Sequence, residues 1–307
     1  MRLALLLVGI ALLCMPKVLG KLVGRLDGRE GVSVALGGVF VGSLAIESAF
    51  VLAALPRFAC CFHDGAVAMH WGPFLVPGRP AVQAAAAVAA VALPAVALRA
   101  WKRSRVELQR ARVGVGLGAR SEFRGVEVVR LPSAVVTAYS IGGRKPQIVI
   151  SDGLFDLLEP AELQAVLAHE HAHVRLRHGT ILRFLACLEA ALPPVRGTVS
   201  TLRLLLERSA DEEAIDADPD RRTSLLDALL KVAGIRTQLG VAAFAHESGV
   251  VERAEALLRE PHRNTRLRRV ADRLAVTGAT TCGLAAAGVA VVGLRLLMSA
   301  LGVCCGL

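Results

Sequence analysis

The segment AVLAHEHAHVRLRHG, residues 165–179, holds four of the chain's eight histidines. His169 and His173 are four apart, so on a helix they share a face one turn apart and both imidazoles can reach one ion. His171 is two residues from each and points to the opposite side. Glu170 follows the first of the pair, and the run reads His-Glu-x-x-His. On a helix this pattern supports zinc-assisted peptide hydrolysis: two imidazoles hold the ion, and the carboxylate takes a proton from water and returns it to the departing amine. One zinc ion per chain is the implied cofactor. The bland alternative is a solvated histidine-rich face, which the surrounding Leu, Val and Ala residues oppose.

Two imidazoles leave a zinc site short of a protein ligand, so a third is expected on another helix. TLRLLLERSADEEAID, residues 201–216, carries a helical apolar stripe at Leu202, Leu205, Leu206 and Ala210. Glu207 and Asp211 are four apart on it and share a face. Glu207 is the expected third metal ligand, leaving a fourth position for water. Asp211 is expected to hold a ligand imidazole by its free N–H. The competing assignment for Glu207 is a surface ion pair with Arg203 or Arg208. Glu212, Glu213 and Asp216 read as a solvated acidic face.

The helix bearing the pair is expected to start at Pro160 and stop at Gly179, with Leu163, Val166, Leu167 and Val174 as its apolar stripe. His178 is then expected to cap its C-terminal end, where a cation meets the negative pole of the helix dipole. PQIVIS, residues 146–151, reads as a strand.

These elements sit within an unusually apolar chain. Its 307 residues are 54% hydrophobic, with a mean hydropathy of +0.54, which points to membrane spans around a smaller polar domain. Four apolar stretches are candidate spans: Leu3–Leu19, Val32–Leu55 (with Glu47 inside it), Ala81–Leu98 and Ala275–Leu294. ILRFLACLEAALPPV, residues 181–195, is too short and carries Arg183 and Glu189. It reads as a buried or membrane-skimming helix. The formal charge is +10, and the basic segments follow the first span, follow the third (RAWKRSR) and precede the fourth (RNTRLRRVADR). Alternating spans put all three on one side, so the positive-inside rule places the polar domain in the cytoplasm and both termini outside. No nucleic-acid motif accompanies the charge, and an anionic bilayer face is the expected partner. The seven cysteines have no zinc-knuckle or C-x-x-C spacing and are expected as free thiols.

The expected architecture is an α-helical integral membrane protein of four spans with a mainly α, α+β zincin-like metallopeptidase domain. Its divisions are residues 1–100 (three spans), 101–273 (cytoplasmic zinc domain) and 274–307 (fourth span and short tail).

AVLAHEHAHVRLRH followed by ERSADEEA resembles integral-membrane gluzincin peptidases, most closely those of the BlaR/MecR antirepressor type, with HtpX-type and Ste-type peptidases sharing the metal motif. By motif the resemblance covers Ser133–Ala214. It implies His169, His173 and Glu207 as zinc ligands, Glu170 as the base and Asp211 as support. The implied activity is endoproteolysis at the cytoplasmic face of a protein or peptide substrate, a transcriptional repressor among them, in signal transduction; a homodimer is a further candidate assembly. Zincins pair an extended substrate with an edge strand, here VTAYSIG or PQIVIS. Tyr139 is assigned to packing, with oxyanion contact as the alternative. HtpX-type relatives carry a distal His-Pro pair that PHRNTRLRR reverses, which makes His262 a candidate transition-state stabiliser. The antirepressors have a penicillin-binding sensor after the last span. With the chain ending at Leu307 none is expected here, and a signal would arrive through the spans, the short outer loop or a partner. A quality-control protease of the membrane and a non-cleaving signalling scaffold are the alternative functions.

Overall fold

The computed structural model describes residues 28–59, 80–115, 118–216, 218–238 and 244–258, together with residues 7, 9, 10 and 13. The fourth candidate span and His262 lie outside the described residues, as does most of the first.

Helices α1 (Gly28–Ala59) and α2 (Pro80–Gly114) hold the second and third apolar stretches. Each has a segment long and apolar enough to cross a membrane: Gly31–Val51, with mean hydropathy 1.9, and Ala84–Arg112, with 1.7. At ~1.5 Å per residue the first reaches about 32 Å, the thickness of a bilayer's hydrocarbon core. On α2 Val82, Val88, Val91 and Leu98 are 59%, 67%, 72% and 54% exposed, a run of bare apolar surface that suits lipid. The basic run at Arg99–Arg105 ends the apolar stretch but not the helix, which continues unbroken to Gly114.

The far end of α2 covers one face of a small sheet. Strands β1 (Ala119–Phe123), β2 (Val126–Leu131), β3 (Ala138–Ile141) and β4 (Gln147–Ser151) are ordered β1-β2-β4-β3. The β2–β4 pair is parallel and the other two are antiparallel. Residues Arg124 and Gly125 turn β1 into β2 with φ of 50° and 79°; such left-handed turn pairs match the strand twist. β4 reads as a continuous apolar run because both its faces are buried. Ile148 and Ile150 face a core with Val126, Val128, Leu154, Leu167 and Ala228, whereas Val149 joins Val129, Ile141, Val115 and Leu108 beneath α2. Arg112 of α2 also donates to the carbonyls of Gly142 (2.8 Å) and Lys145 (3.1 Å) in the β3–β4 turn.

Six helices follow among the described residues: α3 (Asp152–Leu157), α4 (Pro160–Arg175), α5 (His178–Ala191), α6 (Arg196–Asp216), α7 (Arg221–Gln238) and α8 (Phe244–Leu258). Helix α4 starts at Pro160 as expected, with the Glu159 N–H donating to the Glu162 carboxylate at 2.8 Å. Glu162 is also paired with Lys231 of α7 at 2.7 Å. The expected stop at Gly179 is corrected. Helix α4 ends at Arg175, Arg177 takes the left-handed conformation (φ 56°), and α5 begins at His178. A non-glycine residue makes the turn, and Gly179 sits in the first turn of the next helix.

The segment 181–195 forms most of α5 and a short 3-10 turn, Pro193–Val195. Leu185 and Leu188 of α5 join Val199, Leu202, Leu205 and Leu206 of α6 and Val32, Ala35, Val39 and Ile46 of α1 in one core. Each buried leucine contributes roughly 1.5–3 kcal/mol. The helix that carries Glu207 is therefore packed directly on a candidate membrane helix.

Candidate metal centre

Helices α4 and α6 cross so that His169, His173 and Glu207 converge, each offering a ligand atom within 4.8 Å of the others. The Nε2 atoms of His169 and His173 are 3.0 Å apart. Glu207 lies 3.5 Å from His169 Nε2 through one carboxylate oxygen and 3.7 Å from His173 Nε2 through the other. Zinc bonds of 2.0–2.2 Å at tetrahedral angles give ligand separations of about 3.3–3.6 Å; the two Glu207 contacts lie at or just beyond that spacing, and the imidazole nitrogens, at 3.0 Å, would open slightly around an ion. The imidazoles are buried, with side chains 9% and 10% exposed, while Glu207 keeps 36% of its side chain open. The donor set and its spacing fit zinc.

Behind the first imidazole, Asp211 Oδ1 is 2.8 Å from His169 Nδ1, close enough to pair though the N–H is not aimed straight along the contact. Burial opposes a charge on His169, yet the Asp211 and Glu207 carboxylates hold its proton on up to about 10. Glu207 is half-enclosed beside the imidazoles; against the desolvation of its surroundings, the two rings hold it well below the usual carboxylate range. The site thus calls for positive charge between the rings, and a dication would take the place of the His169 proton. Zinc uptake at pH 7 is expected to release about one proton, read as a dependence of the binding heat on the buffer's ionisation enthalpy. A heat independent of the buffer would mean that His169 is already neutral before the metal arrives.

The arginine that balances these carboxylates is Arg253 of α8, which carries no local signature in the sequence. Its guanidinium donates to both Asp211 oxygens, at 2.9 and 2.8 Å, and pairs with Glu207 at 3.1 Å. Burial works against its charge, but Asp211, Glu207 and Glu170 raise it above its ordinary value. Of the competing ion pairs considered for Glu207, Arg203 is instead engaged with Glu189 at 2.9 Å. Removing one member of a buried charge network costs about 3–5 kcal/mol. Arg253→Ala is expected to lose that order of stability without zinc and less with zinc, since the ion then compensates the same carboxylates. Chemical denaturation with and without zinc measures both; equal losses would detach Arg253 from the metal centre.

Glu170 is buried on α4 at 9% exposure. His171 stays out of the cluster and lies edge-on to Phe123, ring centroids 6.2 Å apart. His178 does not cap a helix end. It is 2% exposed, its Nδ1 is 2.9 Å from His173 Nδ1, and its Nε2 is 3.2 Å from Ser209 Oγ. Burial first, then the neighbouring His173 imidazole, push it down to about 3, so it is a neutral ring rather than a capping cation. Glu213 is also corrected: it is not solvated but 12% exposed and paired with Arg175. Of the two strands considered for substrate, β4 lies inside the sheet with both edges occupied, so PQIVIS is excluded. β3 is one of the sheet's two edge strands and lies beside α4. Tyr139 of β3 packs in the core beneath α2.

Residues 101–193 match peptidase family M48. A 141-residue stretch is 36% identical to the plastoglobule-localized metallopeptidase 48, chloroplastic, of Arabidopsis thaliana, covering 40% of this chain. The chain spans about two fifths (41%) of that relative's length. No solved structure matches. The family match includes the His169–His173 helix and stops before Glu207, so the third donor is joined to the motif by the fold rather than by the match.

Proposed function

We propose that this chain is a membrane-embedded, zinc-dependent metalloendopeptidase. The observation that carries the reading is the convergence of His169, His173 and Glu207 in zinc-compatible geometry, on a helix within the region that matches a peptidase family. His169, His173 and Glu207 hold the ion, Glu170 is the general base, and Asp211 orients His169. When bound, zinc supplies Lewis acidity toward the scissile carbonyl and acidifies water. Glu170 accepts the proton from the attacking water and delivers it to the leaving amine. The edge of β3, unpaired among the described residues, accepts an extended peptide by backbone hydrogen bonding, which favours unfolded or locally opened segments over folded ones.

The substrate is a protein at the inner membrane face. The likeness of 133–214 to antirepressor peptidases favours regulated cleavage of a repressor-like protein; the likeness to HtpX-type enzymes supports membrane quality control as the second reading. The packing of α6 on α1 and the bare apolar surface of α2 support a membrane setting. The proposed layout has three spans within 1–100, the zinc domain over 101–273 and a fourth span within 274–307. Reporters fused near residue 120 and at the C-terminus are expected on opposite sides of the membrane, and finding both on one side would reject four spans. The activity is tested with the full chain in detergent on an unfolded protein substrate. Cleavage is expected to vanish with a zinc chelator and return with added zinc; cleavage that survives complete zinc removal would reject the assignment.

A further inference from the structure

The two imidazoles of the centre are backed by different chemistry. His169 faces the carboxylate of Asp211, but His173 faces another histidine. The 2.9 Å between His173 Nδ1 and His178 Nδ1 requires that the two nitrogens share one proton. The metal reading above decides which ring owns it. If His173 gives its Nε2 lone pair to zinc, its proton is on Nδ1, and it donates to His178. His178 must then accept at Nδ1 and carry its own proton on Nε2. That N–H points to Ser209 Oγ at 3.2 Å, and the Ser209 hydroxyl donates to the Leu206 carbonyl at 2.9 Å. Every donor in the chain meets an acceptor, no charge is needed, and the line ends on a backbone carbonyl with no exit for a proton.

We propose that His178 is a positioning residue: a neutral imidazole that locks His173 in its Nδ1–H tautomer and ties it, through Ser209, to the backbone of α6. The carbonyl where the chain ends belongs to the residue just before Glu207. Two ligands from separate helices are thereby held in register by a path outside the metal. The left-handed turn at Arg177 makes this possible. It breaks α4 after its last turn and folds the start of α5 back over the His173 ring, which a straight continuation of α4 would not do.

The test uses the full chain in detergent, with zinc affinity measured by chelator competition. His178→Leu leaves the His173 Nδ1–H buried without an acceptor and is expected to weaken zinc about 10–100-fold, as the loss of an outer partner does elsewhere. His178→Gln restores an acceptor and a donor on one side chain and is expected to recover most of that loss. In the zinc-loaded parent, ring nitrogen-15 shifts are expected to show His178 protonated on Nε2 alone. Parent-like zinc affinity in a folded His178→Leu protein would overturn the proposal. So would a proton on His178 Nδ1, or a His178→Gln protein as weak as the leucine variant. If the leucine variant does not fold, the glutamine variant and the tautomer still decide. Failure of the parent to bind zinc would sink the metal reading itself, an outcome distinct from a zinc-binding parent whose affinity ignores residue 178.

Discussion

Glu170→Gln is expected to bind zinc like the parent and to cleave about 10²–10⁴-fold more slowly, the range that a positioned general base contributes. Glutamine has almost the same shape and keeps the hydrogen-bonding capacity of the side chain, so the buried pocket on α4, where Glu170 is 9% exposed, is not emptied. What it cannot do is take a proton. The loss should fall on kcat and kcat/KM together with KM little changed, because the missing interaction exists only in the transition state. Zinc content and the melting temperature of the loaded protein serve as controls. Parent-like turnover would remove Glu170 from the chemistry, and loss of zinc would recast it as a ligand.

Glu207→Ala has the second large effect, and it acts on the ion rather than on the proton. Outer partners of metal ligands are worth about 10–100-fold in affinity, so removal of a direct ligand should exceed that range. Two imidazoles one turn apart on α4 remain, 3.0 Å from each other, without a third donor from α6. The stabilisation that zinc gives the fold, about 2.7 kcal/mol at a concentration 100 times its Kd, should collapse at the concentration that saturates the parent. The variant also takes one partner from Arg253, which stays anchored by both oxygens of Asp211, so the zinc-free fold should survive. Undiminished zinc occupancy would leave Glu207 as a partner of Arg253 and nothing more.

The readable part of this protein lay in local periodicity. A four-residue spacing puts His169 beside His173, and Glu207 beside Asp211, on any α-helix, whatever that helix packs against. The same reasoning sends His171 to the far face, where it meets Phe123. Long apolar runs likewise mark α1 and α2 as candidate spans before any contact is known, because being long and apolar enough to cross a bilayer is a matter of length and composition.

Periodicity failed wherever the answer depended on a neighbour distant in the chain or on a helix that stops against expectation. Arg253 lies 42 residues after Asp211, and an arginine in a charged helical segment looks like any solvated one until α8 is packed on α6. Gly179 suits the stop of α4, yet Arg177 makes the turn, and His178 is a buried partner of His173 rather than the expected helix cap. PQIVIS and VTAYSIG are equally good strands in isolation; only the order β1-β2-β4-β3 leaves β3 at an edge and buries β4. The sequence by itself determined which side chains could bind an ion, since spacing within each helix sets His169 beside His173 and offers Glu207 on a face of its own, while the packing of the two helices brought them together. The tertiary structure decided which charges and rings stand behind them, since a buried carboxylate or imidazole takes its partner from whatever element packs closest, not from its place along the chain.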